Sequence, residues 1–479
     1  MQEKNRIGKL IDAKKQQIYD CSDRIWEFAE TRFDVGKSAD VLCELLEQEG
    51  FTIERGVAHM DHAFVAFYGN GSPVIGILAE YDALGNLSQV AGLPEKKNLV
   101  EKGNGHGCAH HALGAGAVAG AIGIKDFMEE SGLSGTIKLF GCPAEESGYG
   151  KAFMARDGVF NGLDAALTWH PGDATWGFTG QSLAVFQLYF NFKGRAAHAA
   201  GMPEHGRSAL DAAELMNIGV NFLREHMIDQ ARIHYAFMDA GGESANVVQP
   251  TASLYYFIRA PKTRQVQEIY ERVVKIAQGA ALMTETELER VWDSAAANYI
   301  PNNTLTKAMY ENLKPFMPLD LTEEETAYQK MFCDTLDDSM KNGVKERART
   351  VFGSLGEEKV REIAESPVLR ELMPYVEPDG GVPMGGSTDV GDVSWNVPTA
   401  QVMIASLPQG APAHSWQWVA TGKSSVMHKG VLLAGKTIAM TAYDLLTRPE
   451  LLKAAKEEHE KNLEGETYQS AIPADVLPR

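Results

Sequence analysis

Three short apolar runs constrain this chain more than any other feature: VIGILAEYDAL at 74–84, TIKLFGCPAEES at 136–147 and DAALTWHPG at 164–172. Each is short, rich in aliphatic residues and bounded by polar turn residues, so each reads as a buried strand. Each also runs into ionisable groups: Glu80 and Asp82, Glu145 and Glu146, and His170. Helical patterns such as CSDRIWEFAETRF and SADVLCELLEQEG accompany these strands in the first third of the chain. Apolar strands alternating with helices predict an α/β fold with a mostly parallel sheet flanked by helices. In such sheets ligands sit beyond the carboxyl ends of the strands, which is where these ionisable groups would gather.

The pattern changes near residue 183. SLAVFQLYFNFKG alternates like a half-exposed strand, GRSALDAAELMNIGVNFLREHM and TRQVQEIYERVVKIAQGAALMTET read as helices, and ANVVQPTASLYYFIRAP and ELERVWDSA supply further strands. These segments predict a small α+β domain at 183–300, inserted between the two parts of the first domain, 1–182 and 301–479. Residues of about 303–375 are polar and helical in character, an elaboration of the main domain. The chain then returns to Gly-rich loops and apolar strands, GGVPMGGSTDVGDVSW at 380–395 and TAQVMIASLPQGAPAHSW at 399–416.

Composition narrows the function. The chain has 479 residues and a formal charge of −19, which argues against nucleic acid or an anionic membrane as the main partner, since both need basic surface. No apolar run approaches the ~20 residues that span a bilayer. The N-terminal MQEKNRIGKLIDAKKQQIYD is an amphipathic helix without the apolar core of a secretory signal. A soluble, cytoplasmic protein is the expectation. The five cysteines form an odd count without disulfide-framework spacing, as expected of reduced thiols.

The stretch NGHGCAHHALGAGA, 104–117, concentrates ligand chemistry at the start of a helix. Cys108 and His110 would diverge in mid-helix but can converge at a loop-to-helix junction, and a thiolate with an imidazole suits a borderline-soft divalent ion. Taken alone they read first as a small buried thiol and histidines that cap or line the helix start. Glu145 and Glu146 sharpen the choice, because burying two adjacent carboxylates without a cation is costly. One of the pair can bind a metal while the other reaches a water. His170 after one strand and His414 after another complete a set of groups on one face of one sheet. A hydrolytic metal site needs this inventory of ligands, open position and carboxylate base.

The motifs HGCAHH, PAEESGYGK, TWHP, GRAAHAA, NVVQP with FIRA, GSTDVGDVSW and APAHSW together resemble the aminoacylase/carboxypeptidase family of dinuclear metallopeptidases. The likeness is to its amidohydrolase branch of p-aminobenzoyl-glutamate, hippurate and auxin-conjugate hydrolases, and it covers nearly the whole chain. It implies two divalent metal ions, Zn or Mn, in the α/β domain, and an inserted lid that also makes a dimer interface. It places metal ligands at Cys108, His110, Glu146, His170 and His414, and a general base at Glu145. His198 would polarise the scissile carbonyl, and Asn246 and Arg259 would hold the substrate carboxylate. Asp82 and Asp389 match positions near the centre that orient rather than ligate. Two departures stand out: Ala109 replaces a usual Gly, and His111 a usual Asn or Asp, leaving His111 as an extra ligand, a supporting donor or a neutral replacement.

The expected activity is metal-dependent hydrolysis of the amide of an N-acyl or N-aroyl amino acid, p-aminobenzoyl-glutamate or a similar acidic conjugate. Other N-acyl amino acids or dipeptides are the close alternative. An acidic side chain calls for a second cation, for which Arg207 in EHGRSAL is the candidate. The chain would act as a homodimer or as one subunit of a two-chain hydrolase. A zinc nucleoside deaminase is disfavoured by the absence of a P-C-x-x-C signature. A cysteine hydrolase built on Cys108 and His110 would leave the double Glu and the distant histidines without a role.

Overall fold

The structure, a computed structural model, describes residues 2–377 and 385–479. The first part of the Gly-rich return, 380–384, lies outside the described residues. Eleven strands are found among the described residues: β1 Thr52–Arg55, β2 Phe64–Asn70, β3 Val74–Glu80, β4 Gly135–Cys142, β5 Ala165–Gly172, β6 Trp176–Gly177, β7 Ala184–Lys193, β8 Arg232–Asp239, β9 Thr251–Ala260, β10 Glu287–Ala296 and β11 Thr399–Ala405. The described chain divides into two compact units, one of residues 2–179, 300–377 and 396–467, the other of 180–299, 385–395 and 468–479.

The first unit is built on a seven-stranded sheet of order β1-β2-β4-β3-β5-β11-β6. Its centre is parallel, β4 to β3, β3 to β5 and β5 to β11, while β1, β2 and β6 join antiparallel at the margins. The carboxyl ends of the central strands therefore point the same way. β3 and β4 are buried along nearly their whole length, as strands covered on both faces must be.

The small residues after HGCAHH have a packing cause. Helix His110–Ser131 lies against β3, β4 and β5 and against helix Ser425–Thr447, and its first 19 residues are all buried. A side chain at Gly116 would meet the Trp169 indole at 2.6 Å, and one at Gly120 would meet Ile438 at 2.7 Å. The backbone itself is the contact surface there, and Leu113 accepts a hydrogen bond from the Trp169 indole N–H at 2.9 Å.

The stretch 303–375 is helical, with helices Asn303–Leu313, Glu323–Cys333, Asp338–Phe352 and Glu357–Glu365. It also braces the sheet end. Arg347 forks onto Asp173 at 3.0 and 2.8 Å, and Asp173 accepts the Gly410 N–H at 3.0 Å, so one bidentate pair links the elaboration to the chain after β5 and after β11.

The second unit holds the antiparallel sheet β10-β7-β9-β8, with helices Ala209–Leu223 and Thr263–Thr284 on one face. Strand β8 was not legible in the sequence. It is an edge strand in which Ile233 alone is buried, so its side chains do not carry the inward-outward alternation that marks a half-buried strand. No helix among the described residues is long and apolar enough to cross a membrane.

Candidate metal centre

Four chain segments bring their polar groups together beyond the carboxyl ends of β3, β4, β5 and β11. His110 begins the helix after an unusual turn: Ala109 is left-handed, at φ 59°, and buried. That conformation is disfavoured for a residue with a Cβ, and it swings Cys108 and His110 to the same side. Ala144, next to Glu145, and His414 itself are also left-handed, at φ 62° and 60°. Strain of this kind concentrates at functional sites.

Two groups of candidate ligands result. Cys108, His110 and His170 form one, and Cys108, Glu146 and His414 the other, with the ligand atoms of each group within 4.8 Å of one another. The Cys108 Sγ, common to both, stands 3.5 Å from His170 Nε2. His110 Nε2 lies 3.9 Å from Glu146 Oε1, and His414 Nε2 lies 3.6 Å from Glu146 Oε2. A third group, Glu80, His110 and Glu145, brings in the neighbouring carboxylate of the Glu pair.

The remaining atoms of these groups are held from behind. Asp82 bonds His110 Nδ1 at 3.1 Å with one oxygen and accepts the Glu146 N–H at 3.0 Å with the other. His170 Nδ1 donates to the Pro171 carbonyl at 2.7 Å, leaving Nε2 with its lone pair toward the cluster. His110 Nε2 and Glu146 Oε1 are buried polar atoms without a hydrogen-bond partner. Two orphaned acceptors facing each other across 3.9 Å fit a cation that bonds both, and the mixed thiol, imidazole and carboxylate set fits Zn-like ions.

Electrostatics shows the same need. Burial pushes the Cys108 thiol well above its usual range, with Glu146 adding to the shift. Burial opposes a charged His110, yet Cys108, Asp82 and Glu80 outweigh it and raise the ring well above the ordinary value. Burial lowers His170 to about 4 and raises Glu146. Without a cation these buried groups therefore compete for protons. A divalent ion inverts that balance and keeps the ligands deprotonated.

The sequence left the roles of three residues at this site open: His111, Glu80 and Lys151. His111 turns away from the ligands: its Nε2 donates to the Gly422 carbonyl at 2.9 Å, and its ring lies 4.9 Å from that of His106, which donates to Ile25 O at 3.0 Å. The two rings anchor the ligand turn to neighbouring segments. Glu80 approaches His110 Nε2 at 3.4 Å, and Lys151, fully buried, pairs with Glu80 at 2.7 Å. Burial raises the Glu80 carboxyl, but the Lys151 ammonium outweighs it and brings the group below its usual value. Glu80 was visible as a strand-end acid; Lys151 closes the PAEESGYGK motif but was given no role, because a lysine is expected at the surface.

The other expected groups lie in the second unit. His198 Nδ1 accepts the N–H groups of Ala200 and Gly201 at 3.2 and 3.1 Å, so the neutral ring carries its proton on Nε2, as a donor. Asn246 sits beside it, its carbonyl accepting the Ala199 N–H at 2.9 Å. Arg259 donates to Ser387 Oγ at 2.5 Å, and Asp389 is buried two residues further on. The Arg207 fork bonds Glu285 at 2.8 Å and the carbonyls of Glu204 and Gly206 at 3.1 and 2.6 Å.

A twisted α/β sheet with a thiol, imidazole and carboxylate cage at its parallel strand ends, joined to an α+β unit, defines a chain of the metal-dependent hydrolase class. Comparison with known proteins narrows it. Residues 185–284 match the M20 peptidase dimerisation domain. The chain is 45% identical over 472 residues to one of the chains of the p-aminobenzoyl-glutamate hydrolase of Escherichia coli, covering 98% of both sequences. Among solved structures it resembles an aminobenzoyl-glutamate utilization protein from Klebsiella pneumoniae, with a TM-score of 0.62, 18% identity and coverage of 93% of this chain and 98% of that one. It also resembles a dinuclear metal-binding M20 peptidase from Bacillus subtilis, with a TM-score of 0.55, 17% identity and coverage of 91% and 99%. The chain belongs to the M20 family of metallopeptidases and amidohydrolases.

Proposed function

We propose that this protein hydrolyses the amide bond joining an acyl or aroyl group to an amino acid, with p-aminobenzoyl-glutamate or a similar acidic conjugate as substrate. The observation that carries the reading is the pair of orphaned acceptors, His110 Nε2 and Glu146 Oε1, facing each other inside a cluster of further ligand atoms. Cys108, His110, Glu146, His170 and His414 would hold two divalent ions, Zn or Mn. Such ions supply Lewis acidity toward the carbonyl and lower the pKa of a water from 15.7 toward ~7. Glu145 takes the proton from the attacking water and returns it to the leaving nitrogen. His198 offers its Nε2 proton to the developing oxyanion. Asn246 and Arg259 hold the carboxylate of the amino-acid half, while Asp82 and Asp389 hold their neighbours in place. Arg207, bound to Glu285, braces the turn that follows His198.

The reading extends to assembly. The match of 185–284 to a dimerisation domain is supported by exposed apolar side chains on that unit, Ile218 and Phe222 on one helix and Phe237 and Met238 on edge strand β8. A homodimer through this unit is the proposed state, with a related subunit as the alternative partner. Cys21, Cys43, Cys108, Cys142 and Cys333, present as thiols, suit a reducing compartment, the cytoplasm.

The test is metal content together with turnover of p-aminobenzoyl-glutamate, for the wild type and Glu145→Gln. Two ions per chain are expected in both proteins, with kcat reduced about 10²- to 10⁴-fold in the variant. Undiminished turnover by metal-free protein overturns the reading.

A further inference from the structure

On the second unit, one sheet face carries a cluster of cations of which the catalytic assignment uses Arg259 alone. Along β9, Ala252, Leu254, Tyr256 and Ile258 are buried under helices Ala209–Leu223 and Thr263–Thr284. Alternation puts Phe257 and Arg259 on the opposite face. Strand β8 pairs with β9 in a register that sets Arg232 directly across from Arg259 and His234 across from Phe257. The four side chains form one tile, two guanidinium groups beside an imidazole and a phenyl ring.

The tile is held open. Arg259 lies over the Phe257 ring at 5.5 Å and is steadied by Ser387. Arg232 bonds the carbonyls of Asp229 and Ala231, the latter at 2.7 Å. Among the described residues no carboxylate pairs with either guanidinium, although the chain carries 64 acidic residues against 45 basic ones. Like charges directly opposite each other across a strand pair destabilise a sheet. Burial, followed by Arg259, Arg224 and Arg232, holds His234 below its ordinary value, which reports the positive field of the tile.

We propose that Arg232 and Arg259, with His234, form a dicarboxylate-binding site that selects substrates whose amino-acid half is acidic. Two forks side by side accept the two separate carboxylates of aspartate or glutamate, and each bidentate pair relieves the repulsion between the cations. Arg232 thus supplies the second cation that an acidic side chain requires, directly across the strand pair from Arg259, whereas Arg207 bonds Glu285. The assignment rests on the amide-hydrolase reading for its substrate, not for its ligand chemistry.

Two measurements separate the site from that reading. The first is the ratio of kcat/KM for p-aminobenzoyl-glutamate to that for p-aminobenzoyl-alanine in the wild type, Arg232→Gln and His234→Gln. Arg232→Gln is expected to lower the ratio about 10- to 100-fold, through KM, and His234→Gln about threefold. An unchanged ratio in Arg232→Gln overturns the proposal. The second is calorimetric titration with glutarate, with butyrate as control: the wild type should bind glutarate and Arg232→Gln should not. If the wild type cleaves neither substrate, the amide-hydrolase reading fails and glutarate still decides the site. Equal glutarate binding by both proteins, or none by the wild type, overturns it.

Discussion

The two units carry like-charge clusters of opposite sign and opposite setting. In the first unit Glu80, Asp82 and Glu146 crowd into a buried pocket, with side-chain exposures of 7% or less. In the second, Arg232 and His234 stand in the open beside the half-buried Arg259. The difference is one of cost. Buried carboxylates carry charge that solvent does not screen, and Lys151 lies against Glu80 while Asp82 and Glu146 crowd the same pocket, so a permanent cation belongs there. Exposed guanidinium groups are screened by solvent and can stand free until an anionic ligand arrives. Burial thus separates a resident cofactor from a passing substrate, and each cluster can be attacked on that basis.

The largest effect should come from chelation. Stripping the ions leaves the buried acceptors without their cation, and Tm should fall, recovering on addition of Zn or Mn. An ion at a thousandfold its Kd contributes about 4 kcal/mol. A melting curve indifferent to chelator breaks the contrast. Lys151→Met comes next. It leaves Glu80 buried without its ammonium and should cost about 3–5 kcal/mol, measured by denaturant unfolding, with weaker metal retention. A loss below about 1 kcal/mol would mean that Glu80 finds another partner. The smallest effect is the sharpest test of the exposed cluster. Raising salt from about 0.05 to about 0.5 M should raise KM for an acidic conjugate a few-fold while metal content stays constant. A salt-independent KM places the carboxylate-binding cations in a buried setting instead.

The alternation of apolar strands and helices placed Cys108, Glu145, Glu146, His170 and His414 beyond strand ends, because a parallel strand announces itself by a local run of aliphatic residues. Strand β8 escaped the same reasoning: an edge strand with one buried side chain has no alternation to read. The His198 turn and its neighbour Asn246 were recognisable as motifs, but the tautomer of the ring follows from two backbone N–H groups. Ala109 is a case between. Its departure from Gly was visible, yet only its left-handed φ of 59° shows that the methyl is accommodated in the ligand turn under strain.

Residue identity and local periodicity thus determined the sheet, the ligand types and the presence of a second unit, since these depend on side chains within a few positions of one another. Tertiary structure decided the pairings between distant segments: Lys151 with Glu80, Arg347 with Asp173, Arg207 with Glu285, and Arg232 opposite Arg259. Whether a charge is solvated, paired or left waiting depends on which segments the fold brings within a few ångströms of it, and the energy of that choice is set by burial.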